Sequence, residues 1–107
     1  MSQSLKKGIT MSIDVILNLQ VKPENREELL SFFTALLPDA RAYKGCQSMI
    51  VTSDEDDIHN IVLLQKWDQR SDQESYMAWR AERGDADKIV GLLSSPPTLQ
   101  YLTAIPI

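Results

Sequence analysis

The first regular pattern in the chain is a strict alternation. Ile13, Val15, Leu17, Leu19 and Val21 occupy one parity, and Asp14, Ile16, Asn18, Gln20 and Lys22 the other. Successive side chains of a strand point to opposite faces, so this stretch predicts a β-strand with an apolar face and a mostly polar one holding Asn18. At Pro23 the period changes. A proline at the first helical position and the carboxylates Glu24, Glu27 and Glu28 mark a helix start. Leu29, Phe32, Phe33, Leu36 and Leu37 then form the stripe of a helix lying on a sheet. Pro38 is expected to kink or stop it, with one or two further turns before Gly45, a natural left-handed cap. A second strand is expected over Cys46 to Ser53.

Asp54-Glu55-Asp56-Asp57 has no apolar member and lies between two strand patterns, so it reads as a solvated hairpin loop; a calcium site would need a ligand spacing and a glycine that it lacks. Ile61 to Trp67 is the third strand, with Gln65 and Trp67 on one parity. Ser71 and Glu74 have capping-box spacing, so a helix is expected to begin at Asp72. It carries Tyr76, Trp79, Arg80 and Arg83 on one side. If it folds back over the sheet, Trp67 and Tyr76 share a pocket. Gly84 breaks the helix, Asp85 is placed to cap a short one bearing Ile89, Leu92 and Leu93, and Thr98 to Ile105 reads as a last strand. The order is that of a ferredoxin-like β-α-β-β-α-β domain, α+β in class, with two helices on one face of a four-stranded antiparallel sheet. The other face is left open yet includes Ile16, which points to a homodimer packed sheet to sheet.

Composition narrows the function classes. The 107 residues are enough for one domain, 12–107, preceded by a polar stretch, 1–11, that reads as a flexible extension. A net charge of −4 without a basic patch argues against nucleic acid. No apolar run suits a membrane span or signal peptide, so a cytoplasmic location is expected. The single Cys46 and single His59 exclude a disulfide framework and a Cys/His zinc site.

Three stretches carry a resemblance: the first strand running into Val21-Lys22-Pro23, the Tyr43-Lys44-Gly45-Cys46 entry to the second, and Gln65-Lys66-Trp67-Asp68 before the second helix. In these the chain resembles the antibiotic biosynthesis monooxygenase domain family, dimeric α/β-barrel proteins, over about residues 12 to 105. Members often have Glu where Gln65 stands and histidines where Tyr76 and Ala81 stand, so haem ligation is not expected. The resemblance implies oxygenation of an electron-rich aromatic (a quinol, anthrone or phenol) by O2, with no metal and no bound organic cofactor.

In that chemistry the implied catalytic residues are Trp67, Tyr76 and Asn18, and the implied substrate-binding residues are Gln65, Trp79 and Arg80. Trp67 and Tyr76 would pack on the ring. Asn18 and Gln65 would hydrogen-bond its oxygens, and Arg80 would favour its anion. Each has a structural alternative. Trp67 and Tyr76 fit a core, Asn18 a neighbouring strand or dimer contact, and Arg80 and Arg83 ion pairs with Glu82 or Asp85. Cys46 reads as a small buried hydrophobe and His59 as a surface residue. A non-catalytic small-molecule-binding or sensing homodimer is the second functional reading.

Overall fold

The computed structural model describes residues 12–107; the expected extension over 1–11 lies outside the described residues. Strand β1 covers Ile13–Gln20. A 3-10 turn, Pro23–Asn25, leads into helix α1, Arg26–Ala42. Strands β2, Cys46–Ser53, and β3, Asn60–Trp67, form a hairpin. Helices α2, Arg70–Arg83, and α3, Asp85–Gly91, precede strand β4, Thr98–Leu102. The sheet order is β2-β3-β1-β4, antiparallel throughout. This is the ferredoxin-like α+β arrangement that the element order predicts.

Register assigns each strand residue to a face. Met49, Gln65, Val15 and Tyr101 are paired across the four strands in one row. They share the helix-covered side with Leu17, Leu63 and Trp67. There Val15, Leu19, Leu29, Ile61 and Trp67 are almost completely buried, each such side chain stabilising the fold by about 1.5–3 kcal/mol. The opposite side carries the row Ile50, Leu64, Ile16 and Gln100, with Asp14 and Lys66 joined by a 2.7 Å ion pair in the next row. No helix among the described residues covers it, and Ile50, Leu64 and Leu102 are exposed.

Four local expectations are corrected. Pro38 does not stop α1, which runs on to Ala42 through the further turn expected before Gly45. Its missing N–H is at an exposed site where water can serve the freed carbonyl, while Ala40 is fully buried and Arg41 donates from Nε and Nη2 to the Met49 carbonyl at 3.1 and 3.0 Å. Tertiary contacts hold the last turn. The Ser71–Glu74 capping box does not form: α2 starts at Arg70 after Gln69, and the Glu74 carboxylate accepts instead from Arg70 Nε at 3.1 Å. Asp85 does not cap α3, because it is turned to Arg80 and Arg83. The last strand stops at Leu102, paired with Asp14 one residue from the start of β1, short of the expected Ile105.

Gly45 and Gly84 have φ of +88° and +87°. Gly84 caps α2, whereas Gly45 does not cap α1, which ends at the extended Tyr43, but sits in the turn closed by Cys46 N–H donating to the Tyr43 carbonyl at 3.0 Å. A Cβ on Gly45 would fall on the Asp72 carboxylate, which Lys44 Nζ holds at 3.1 Å.

Candidate functional site

Gln65 and Trp67 leave β3 on the helix side two residues apart, and the indole Nε1–H donates to Gln65 Oε1 at 2.8 Å. Tyr76 comes down from α2, its ring 5.4 Å from that of Trp67. One turn further on, Arg80 is 3 % exposed and divides its donors among three elements. Its Nε donates to Tyr76 Oη at 2.9 Å, its Nη1 to Asp85 at 3.1 Å and its Nη2 to the Leu36 carbonyl at 2.8 Å. Arg83 Nε also donates to Asp85, at 2.9 Å. Burial raises the Tyr76 phenol above its ordinary pKa; the hydrogen bond and charge of Arg80 act in the other direction, while Cys46 and Asp85 add to the rise.

Beside these groups, between helices and sheet, lies a cavity of about 90 Å³. Leu17, Leu63 and Met49 supply its sheet wall, Leu36 and Met77 its helix wall, and the exposed Val90 and Pro97 also line it. Its polar lining side chains are Gln65, Tyr76 and Arg80. An apolar cavity of roughly 150 Å³ admits benzene. An aromatic ring here must therefore displace a flexible side chain such as Met77 or extend outward past Val90.

The structure thus brings four of the six expected site residues together: Trp67, Tyr76, Gln65 and Arg80. Trp67 stands behind Gln65, fully buried, and does not line the cavity. Trp79 is turned aside, half-buried against Tyr43 at 5.4 Å and beneath the guanidinium groups of Arg80 and Arg83. Asn18 is opposite Val62 in the register and on the uncovered face, so it does not reach the cavity. Its parity follows from the alternation that puts Leu17 and Leu19 inside.

Sequence reasoning missed two contributors. Tyr43 sits at the centre of the aromatic cluster, 5.3 Å from Tyr76 and 6.4 Å from Trp67. Its place just before Gly45 was the available signal. Gln73 is fully buried on α2; its Oε1 accepts from Tyr101 Oη at 2.6 Å, and its Nε2 has no hydrogen-bond partner. A glutamine on a polar helix gives no such signal. His59 is at the far end of β3, about 20 Å along the strand from Gln65. Asp54 and Asp57 are engaged by the backbone N–H groups of Asp56 and His59 within their own loop. Among the described residues no group of three or more His, Cys, Asp and Glu side chains is placed to hold a metal, and no helix is long and apolar enough to cross a membrane.

The fold and the cavity under its helices define a ferredoxin-like α+β domain with a recess smaller than an aromatic ring. The antibiotic biosynthesis monooxygenase family model matches residues 12–84, and the chain belongs to that family. No curated protein matches the sequence. Among solved structures, a conserved protein from Methanosarcina mazei superposes with a TM-score of 0.81 at 16% identity, covering 88% of this chain and 93% of its own. A protein from Mycobacterium tuberculosis gives 0.79 at 20%, covering 90% and 97%. An antibiotic biosynthesis monooxygenase gives 0.80 at 20%, covering 88% and 99%. At these identities the likeness is one of fold. Asp85 and the Val90 and Pro97 side of the cavity lie beyond the matched stretch.

Proposed function

We propose that the protein is a cofactor-independent monooxygenase acting on a small electron-rich aromatic, a quinol, anthrone or phenol, with O2. The observation that carries this reading is the apolar cavity whose polar side chains among the described residues are Gln65 and the hydrogen-bonded pair Tyr76 and Arg80. Family membership supports it. An ionised phenolic or enolic substrate has enough electron density to pass one electron to O2, and a dry recess keeps the radical pair together until the C–O bond forms. Collapse of the hydroperoxide releases water and leaves a carbonyl. The residues around the cavity bind and orient the substrate oxygen and exclude water; Tyr76 and Arg80 stabilise negative charge on it.

The working unit in this proposal is a cytoplasmic homodimer closed over the row Ile50, Leu64 and Ile16, where exposed apolar sheet surface calls for a partner. The test is oxygen uptake by the purified protein over a panel of quinols, anthrones and catechols, with autoxidation subtracted. Protein-dependent uptake that falls in Tyr76→Phe and Trp67→Phe supports the reading; uptake equal to the buffer blank across the panel overturns it for those substrates. One observation favours a second reading, a non-catalytic binding homodimer: among the described residues, the cavity is lined by no side chain able to take a proton from a substrate.

A further inference from the structure

We infer that Gln65, locked by Trp67, makes the cavity selective for ligands that arrive as oxyanions, that is, acidic phenols or enols already ionised in solution. The inference rests on the reading that this cavity is the ligand site and adds which form of the ligand it takes. The indole Nε1–H can only donate, so the Gln65 atom 2.8 Å from it is the carbonyl oxygen. The amide cannot turn over without breaking that bond. Its NH2 end has no hydrogen-bond partner among the described residues and keeps two donors, against the one lone pair that Trp67 leaves on Oε1.

The other polar groups have the same sense. Tyr76 Oη accepts from Arg80 Nε, leaving the phenol proton to donate. Arg80 has donors alone. The Leu36 carbonyl is occupied by Arg80 Nη2, and the Asp85 carboxylate, held by Arg80 and Arg83, does not line the cavity. A neutral phenol brings an O–H whose only side-chain acceptors among the described lining residues are oxygens already bonded, Gln65 Oε1 by Trp67 and Tyr76 Oη by Arg80. It competes there for a second lone pair beside a guanidinium that repels its proton. An oxyanion accepts from Gln65 and Tyr76 together, beside a buried guanidinium. No lining side chain removes the proton, so ionisation precedes entry.

The test is equilibrium binding of para-substituted phenols graded in acidity, followed anaerobically at one neutral pH so that the states of Tyr76, Arg80, Asp85 and Cys46 are constant across the series. Apparent affinity should track the ionised fraction of each ligand. Gln65→Glu keeps an acceptor for Trp67 but puts negative charge where the amide stood, and should weaken phenolate binding about tenfold or more while improving that of neutral phenols. Gln65→Leu, which carries no buried charge, should reduce the discrimination without that reversal. Equal affinity for ionised and neutral phenols, unchanged discrimination in folded Gln65→Leu, or no binding of either form overturns the inference. Anion-selective binding without oxygen uptake overturns only the oxygenase reading.

Discussion

Arg80 Nε donates to Tyr76 Oη across one turn of α2 at 2.9 Å, and this bond links a buried ion pair to the wall of the cavity. The guanidinium spans α1, α2 and α3 through Leu36, Tyr76 and Asp85. It shapes the site and ties three helices together.

Arg80→Met should lower stability by about 3 kcal/mol or more, because it leaves the nearly buried Asp85 carboxylate without its internal partner. Arg83, half exposed, compensates only in part. Arg80→Lys should recover little, since one ammonium cannot reproduce the fork to three acceptors. Urea unfolding of the three proteins measures this. Tyr76→Phe should cost less, about 1–3 kcal/mol, for the buried Nε–H it orphans.

Stability should fall on the alkaline side. Burial raises the pKa of Tyr76 and of Cys46 above their ordinary values, so both are protonated in the folded protein at pH values where the unfolded chain has begun to ionise. Their contribution is fully present below the unfolded pKa values and is lost as pH rises through the folded ones, since above about pH 9–10 the unfolded state binds fewer protons. Urea midpoints from neutral pH to about pH 11 should decline less steeply in Tyr76→Phe than in the parent. Cys46 is more open to solvent, so Cys46→Ala should change the slope less.

Gly45→Ala should destabilise more than Gly84→Ala, although both have φ near +88°. The left-handed backbone costs each variant about 1 kcal/mol. At Gly84 the new methyl meets nothing within 4 Å, whereas at Gly45 it must displace Asp72 and its bond to Lys44. The difference in thermal midpoint measures the displacement, and equal midpoints would show that Asp72 moves aside freely.

Leu64→Glu tests the dimer proposal. Leu64 is exposed in the middle of the uncovered face, between Ile50 and Ile16. If two copies meet there, the paired carboxylates should shift the sedimentation coefficient to that of a monomer without lowering the helix signal. A parent protein that already sediments as a monomer removes the proposal.

The family model ends at residue 84, while Val90 and Pro97 line the cavity from outside that match. The match covers the floor and the polar groups, and the outer side is built by the last part of the chain.

Alternation was enough to put Gln65 and Trp67 on one face of β3 and Asn18 opposite Leu17 and Leu19 on β1, because the two-residue period of a strand follows from backbone geometry alone. That Asn18 and Gln65 lie on opposite faces of the sheet came only from the register. Helical spacing likewise put Tyr76 and Arg80 on one side of α2, and strand and helix order was enough for the topology. The left-handed turn at Gly45 was legible for the same reason: it depends on one residue's backbone. What the sequence left open needed contacts between distant segments. The Arg80 bond to Leu36 joins residues 44 positions apart, and Tyr43 reaches Tyr76 only when α1 and α2 pack side by side. Local signals also lost to such contacts: the helix continued through Pro38 because Ala40 and Arg41 were already held, and Glu74 left its capping position for Arg70. Periodicity reports which residues share a face of one element; which groups meet across elements, and which become buried donors, is decided by packing.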